Sequence, residues 1–156
     1  MNILAFDTSF DCCSAAAARG LRGLSPVISS FAEPMSAGHA ERLVPMIAET
    51  LAETSLEVGD LDCIAVTVGP GTFTGTRIAL SAARALALVA EVPFVAITSL
   101  RLMAMNREAN ATGARELVIA TDARRGEVYF ERFDPHSLRS RAPAAALPVP
   151  VAAASL

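Results

Sequence analysis

A glycine- and threonine-rich stretch, GPGTFTGTR at positions 69–77, holds the residues best placed to do chemistry. An apolar run precedes it and a helical pattern follows it, which is the layout of a loop that binds phosphate at a helix N-terminus. The residues that could form such an anion-binding loop are Gly69, Gly71, Thr72, Thr74, Gly75 and Arg77. The alternative is that the glycines only let the backbone turn sharply between strand and helix.

The known phosphate-binding fingerprints are not met in this loop. The chain contains no lysine, which removes the P-loop lysine, and the glycine spacing misses G-x-G-x-x-G by one residue. A dedicated nucleotide site is therefore not predicted here, although Thr72 or Thr74 could cap the following helix and favour an anion beside it.

Two aspartates occupy the same place in two similar segments. Asp7 lies at the end of the first strand of ILAFDTSFDCCSAAAA, and Asp122 lies at the end of the first strand of LVIATDARRGEVYF. This repetition is typical of a duplicated lobe. Actin-like and sugar-kinase-like folds contain two such lobes, each opening on a β-hairpin, with an aspartate near the phosphates. Because Asp7 is followed by Thr-Ser rather than a glycine, both aspartates are interpreted as vestiges of a phosphate site.

The residues for metal or nucleophilic chemistry are poorly arranged. His39 would need a second histidine one helical turn later to hold a metal ion, but Leu43 stands there. The motifs H-E-x-x-H and G-x-S-x-G are absent. Cys12, Cys13 and Cys63 form no C-x-x-C and are odd in number, which favours reduced thiols. We therefore expect no catalytic residue, no metal and no cofactor bound by this chain itself.

The composition limits the class of protein. The chain has 156 residues, 53% of them hydrophobic, and a net charge of −3, so a generally nucleic-acid-binding surface is not indicated. Residues 1–100 hold five arginines against ten acids, whereas residues 101–141 hold eight against six. Arginine or glutamate interrupts the longest apolar runs, and the N-terminus has the pattern of a strand rather than a signal peptide. A cytoplasmic protein without a membrane span is expected.

Hydrophobic periodicity predicts an α/β fold with a mixed sheet flanked by helices. Strands are predicted at 2–8, 11–20, 25–33, 62–69, 94–99, 116–122 and 127–133, and helices at 36–54, 73–91 and 100–111. The predicted organisation is an N-terminal lobe at 1–99, the start of a second and incomplete lobe at 100–140, and an Ala/Pro-rich tail or linker at 141–156.

The helix predicted at 73–91 has more apolar surface than one sheet needs. At 100° per residue, one face carries Ile78, Ala82, Leu86 and Val89, which we expect to pack on the sheet. A second stripe carries Ala79, Ala83, Ala87 and Ala90, with Leu80 at its edge. Small residues at this spacing let another helix approach closely. We expect this second stripe to dock a partner protein, with helix 36–54 of the same chain as the alternative occupant.

The segments ILAFDTS, HAERLVPMI, DCIAVTVGPGTFTGTRIAL and DARRGEVYF, in this order and spacing, closely resemble the TsaB (YeaZ) family. The resemblance spans residues 2–133 and implies an actin-like (ASKHA) fold. It also implies a non-catalytic dimerisation subunit that works with a catalytic paralogue, TsaD, and a small ATPase, TsaE, in the N6-threonylcarbamoylation of adenosine 37 in tRNA. Members usually continue into a fuller second lobe.

The resemblance also implies where partners bind and which subunits bind the cofactors. Family members pair through their first two helices, which gives as interface candidates His39, Leu43, Met46, Ile47, Ala79, Leu80, Ala83 and Ala87. ATP and metal would then belong to the partner subunits, tRNA would be met only through the complex, and a homodimer could form in isolation. Two other interpretations stay open: an ATP-binding phosphotransferase or hydrolase, and the older glycoprotease (metallopeptidase) interpretation of this superfamily.

Overall fold

The first strand sets the layout of the molecule because its side chains alternate between two faces of a sheet. Leu4, Phe6 and Thr8 are less than 5% exposed, whereas the residues between them are partly exposed. The computed structural model describes residues 1–106 and 115–155 of the chain. These residues form two units, Met1–Ile97 and Thr98–Leu156, each of which is described by itself.

The first unit is a mixed five-stranded sheet with two helices. Its elements, in chain order, are β1 (Ile3–Phe10), β2 (Cys12–Arg19), β3 (Val27–Pro34), α1 (His39–Glu53), a 3₁₀ turn (Val58–Asp60), β4 (Cys63–Thr67), α2 (Phe73–Ala90) and β5 (Phe94–Ile97). The strand order is β3-β2-β1-β4-β5, with β1 antiparallel to β2 and parallel to β4. The predicted mixed sheet with flanking helices is therefore confirmed for this unit.

The second unit repeats the opening of the first on a smaller scale. Its elements are α3 (Ser99–Met105), β6 (Leu117–Arg124), β7 (Glu127–Phe133), β8 (Ser140–Pro148) and α4 (Val149–Ala153). The order β6-β7-β8 is fully antiparallel, as is β1-β2-β3 in the first unit. The end of the helix predicted at 100–111 lies outside the described residues.

The Ala/Pro-rich segment 141–156 was wrongly predicted to be a tail or linker. Most of it forms β8, which pairs with β7, and the short helix α4. The strand was missed because β8 lies at the sheet edge and nearly all of its side chains are exposed, so it shows no alternation of apolar and polar residues. Its backbone hydrogen bonds to β7, rather than burial of side chains, define it as a strand.

The orientation of α2 also differs from the prediction. Ala79, Ala83 and Ala87 are at most 8% exposed and belong to the main core with the β1 side chains, so this stripe faces the sheet rather than a partner. Val89, expected on the sheet, is 74% exposed. Two apolar stripes lie side by side on this helix. The stripe with small side chains packs on the sheet because it allows the helix axis to lie closer to the strands.

By length and composition α2 could cross a membrane, contrary to the expectation that no stretch would qualify. One such helix is weak support for a span, since core helices meet the same criterion. The packing of its alanine stripe on the sheet gives α2 a place in the core of the first unit.

Candidate functional site

The end of β1 carries a small polar cluster built around Asp7. The Ser9 backbone N–H donates to Asp7 Oδ1 at 2.7 Å, and the Thr67 hydroxyl from the end of β4 donates to the same oxygen. The Ser9 and Thr67 hydroxyl oxygens are 3.0 Å apart. Because β1 and β4 are parallel neighbours, their carboxyl ends bring these three residues together. One oxygen of the predicted phosphate-side aspartate is thus engaged by the protein's own donors.

The glycine-rich loop packs directly on the backbone at the end of β1. The Thr72 N–H donates to the Ser9 carbonyl oxygen at 2.7 Å, and the Thr8 hydroxyl donates to the Gly75 carbonyl oxygen at 2.7 Å. A Cβ atom on Gly75 would lie 1.8 Å from the Thr8 carbonyl oxygen, and one on Gly71 would lie 2.4 Å from that of Ser9. These contacts account for both glycines without a ligand. They favour the interpretation of the loop as a tight turn.

Three further predicted anion-loop residues lie at the start of α2. The Thr72 hydroxyl accepts the Gly75 N–H at 3.2 Å, and so caps the helix as predicted. The Arg77 guanidinium lies 3.6 Å from the centre of the Phe73 ring, a cation–π contact on the helix surface. Thr74 is exposed beside them, and Gly69 turns the backbone with φ +90°. Whether this loop binds an anion stays a prediction.

Asp122 reproduces the local geometry of Asp7. The Arg124 N–H donates to Asp122 Oδ1 at 2.7 Å, as the Ser9 N–H does to Asp7, again two residues further along the chain. The register of each hairpin breaks directly after its aspartate. The sequence repetition thus corresponds to two hairpins of the same design, one in each unit.

His39 begins α1, and its Nε2 lies 3.0 Å from the Phe10 carbonyl oxygen. Leu43, where a second metal ligand was sought, is 1% exposed within the core. In the described ranges no three residues of the types His, Cys, Asp or Glu come together as a metal site. Burial raises the pKa of Cys13, which disfavours the thiolate that a nucleophile would need.

Most of the predicted interface residues are not on the surface. Met46 and Ile47 share the core with Leu43 and the alanine stripe of α2, whereas Leu80 and His39 are partly buried. The buried side chains among them pack inside the first unit. The predicted elements α1 and α2 do have an exposed side, but apart from Leu43 it is formed by other residues.

That exposed side is an apolar groove between α1 and α2, here called the helix groove. Its volume is about 500 Å³, and its walls are formed by Ala40, Leu43, Val44, Phe73, Thr74, Arg77, Ile78, Ser81 and Ala82. Val44 is 64% exposed and Phe73 is 70% exposed, large values for apolar side chains. Sequence reasoning missed both. The available signal was that each falls outside the buried stripe of its own helix.

Comparison with known proteins agrees with this architecture. Residues 28–140 match the family model of TsaD, tRNA N6-adenosine threonylcarbamoyltransferase. The chain is 34% identical over 133 residues to the tRNA threonylcarbamoyladenosine biosynthesis protein TsaB of Escherichia coli K12, and 36% identical over 140 residues to that of Haemophilus influenzae. These alignments cover 85% and 90% of this chain but 55% and 57% of the relatives.

The solved structure of YeaZ from Pseudomonas aeruginosa has the same fold. It superposes with a TM-score of 0.80 at 33% identity, covering 94% of this chain and 67% of that one. The likeness confirms the predicted actin-like α/β lobe. The chain spans about half the length of the curated relatives. On the similarity in sequence and in structure together, this chain is a member of the TsaB (YeaZ) family.

Proposed function

We propose that this chain takes part in the biosynthesis of threonylcarbamoyladenosine in tRNA as a non-catalytic subunit. In this role it docks the catalytic paralogue, a TsaD-like protein, and helps to position it, with a TsaE-like ATPase as a further partner. The observation that carries the proposal is the helix groove in a member of the TsaB family, whose named relatives belong to this biosynthesis.

The helix groove has the properties of a protein-binding surface. Its walls come from two helices that are held by a common core, so their exposed side chains are presented on a rigid support. Phe73 and Val44 supply the apolar anchors, and Arg77 and Ser81 supply a polar rim. An aromatic anchor in a groove with a guanidinium beside it is well suited to bind the apolar face of a partner helix.

The polar cluster at the end of β1 supports a non-catalytic role. Asp7 Oδ1 already accepts two protein hydrogen bonds, and the backbone of residues 8 and 9 occupies the space beside Gly71 and Gly75. A nucleotide phosphate would have to displace these contacts. We therefore assign ATP turnover and any metal chemistry to the partner subunits.

The test is Val44→Glu, assayed by co-purification with the TsaD-like paralogue of the same organism. Valine and glutamate differ little in an exposed helix position, so the melting temperature should stay within a few degrees. A charged side chain in place of an apolar anchor at the centre of the interface should weaken binding at least about 100-fold. The matched control is Val149→Glu, because Val149 is 50% exposed on α4 of the other unit; this variant should bind normally.

Two results would contradict the proposal. One is that folded Val44→Glu protein binds the paralogue as well as the wild type does, which would place the interface elsewhere. The other is that the wild-type chain itself neither binds the paralogue nor supports formation of threonylcarbamoyladenosine when it is added to the remaining subunits.

A further inference from the structure

The turn between β6 and β7 presents two arginines in an unusual backbone conformation. Arg124 has φ +67° and Arg125 has φ +56°, and both are followed by Gly126 at φ +79°. Three consecutive residues thus lie in the left-handed region, which L side chains other than asparagine and aspartate rarely adopt. The two central positions of such a two-residue hairpin turn are normally filled by Asn-Gly or Gly-Gly. Here an arginine takes the first of them.

Both arginines are exposed, and neither forms an ion pair within residues 1–106 and 115–155. Acids are near in sequence, but Asp122 accepts the backbone N–H of Arg124 rather than a guanidinium. By contrast, Arg132 is held by Glu116, and Arg141 by Asp134. The two guanidiniums of the turn, here called the arginine turn, therefore keep all of their donors available to a ligand.

The arginine turn is fixed rather than loose. Arg124 pairs with Glu127 across the hairpin, and the Val149 N–H donates to the Gly126 carbonyl oxygen at 3.1 Å. β7 is flanked by β6 on one side and β8 on the other, so the base of the turn is also held. A rigid base lowers the entropy lost when a ligand is bound.

We propose that the arginine turn, Arg124 and Arg125, binds phosphate groups of the RNA backbone. The planar guanidinium takes a phosphate through two parallel hydrogen bonds, and consecutive arginines can engage neighbouring phosphates of one strand. The contact carries charge but no base information, so it would hold the RNA in place without reading its sequence. The choice of RNA over another polyanion rests on the proposed function, in which the modified substrate is a tRNA.

The backbone conformation gives this proposal a test that separates binding from stability. Asparagine suits the left-handed region better than arginine does, so Arg124→Asn/Arg125→Asn should melt at the same temperature as the wild type or higher. The variant Arg124→Lys/Arg125→Lys keeps the charge and should retain most of the binding. A matched control is Arg19→Asn/Arg22→Asn, which removes the same charge from an exposed hairpin of the first unit.

The measurement is the affinity for an unmodified tRNA transcript at several salt concentrations, with the full chain alone and with the TsaD-like paralogue. Loss of two phosphate contacts should weaken binding roughly tenfold. It should also make the plot of log association constant against log salt concentration less steep, by about 1.5 in the absolute slope. The control variant should keep the wild-type slope. Binding of every variant to the paralogue is measured in parallel and should be unchanged.

Several outcomes would overturn the inference. They are an unchanged salt slope in the asparagine variant, an equal loss in the control variant, and absence of salt-dependent RNA binding by the wild type in both settings. Loss of paralogue binding in the asparagine variant would instead mark the arginine turn as a protein contact. Failure of the proposed function is a separate result: the wild-type chain would not bind the paralogue at all.

Discussion

Gly75 is the residue on which the junction between β1 and α2 depends most. It lies in the first turn of α2, where its lack of a side chain lets the helix meet the Thr8 carbonyl oxygen at close range. Thr8 in turn donates its hydroxyl hydrogen to the Gly75 carbonyl oxygen at 2.7 Å. The glycine is thus needed for close packing of backbone on backbone and not for an unusual φ angle.

We predict that Gly75→Ala lowers the free energy of unfolding by about 1–3 kcal/mol or more, which is the usual cost of overpacking a rigid contact. The added Cβ would meet backbone, which cannot move aside without shifting β1 or α2. Equilibrium denaturation monitored by circular dichroism measures the effect. Gly59→Ala is the control, because a Cβ there meets nothing within 4 Å; it should change stability little. Equal stability of the two variants would show that β1 and α2 can shift apart at this junction at little cost in free energy.

At the scale of elements, α1 is tied to the edge strand β3 by a single arginine. Arg42 on α1 donates to both carboxylate oxygens of Glu33 on β3. It also donates to both carboxylate oxygens of Glu49, which lies seven residues, or about two turns, further along α1. The donor–acceptor distances are 2.5–2.9 Å. These hydrogen bonds lower the pKa of the Glu33 and Glu49 carboxyl groups below the usual value of 4.5. The network is partly exposed, so salt should weaken it.

The lowered pKa values determine how this network depends on pH. A carboxylate with a depressed pKa in the folded state adds stability above its unfolded pKa, and this stability is lost as the pH falls through the folded pKa. We predict that Arg42→Gln lowers the melting temperature at pH 7, and that its difference from the wild type shrinks as the pH falls below about 4.5. Thermal melts between pH 7 and pH 3 test this.

The exposed Arg84 provides the control for that experiment. It forms no ion pair in the described part of the chain, so Arg84→Gln should change the melting temperature little at any pH in the series. A difference between Arg42→Gln and the wild type that stays constant with pH would mean that the network acts by packing rather than by charge.

The elements were predictable from sequence where burial leaves a periodic signal. β1 and β4 alternate or run continuously apolar, and their bounds differ from the prediction by only a few residues. The rotation of α2 was not predictable, since both of its stripes are apolar and the choice depends on how closely the sheet approaches. β8 was missed because backbone pairing with β7, which has no local pattern, holds it. The helix groove was predictable only in part: Val44 falls outside the apolar stripe of α1, but the position of Phe73 depends on the rotation of α2.

At the scale of the whole molecule, the two units have cores of very different size. The core of the first unit contains sixteen buried hydrophobic residues from its sheet, α1, α2 and the segment between α1 and β4. In residues 98–106 and 115–155, the core cluster of the second unit contains three, which are Leu100, Ala104 and Phe133, with a few partly buried neighbours; Phe130 and Ala152 are buried outside this cluster. Because burial of apolar surface is the main favourable contribution to folding, the two units should differ strongly in intrinsic stability.

We predict that residues 1–97 fold on their own, whereas residues 98–156 do not. The first fragment keeps its five-stranded sheet and its complete core, and it should unfold cooperatively with a positive heat-capacity change. The described residues of the second fragment bury too little apolar surface to offset the entropy of ordering its chain, so it should show no cooperative transition. Calorimetry and amide proton dispersion in NMR spectra of both fragments provide the measurement.

The fragment 1–97 carrying Gly75→Ala serves as a control that the observed fold is the native one, since it should melt lower by the amount found in the full chain. An unfolded fragment 1–97, or a cooperative transition in fragment 98–156, would show that the core of each unit does not determine its stability.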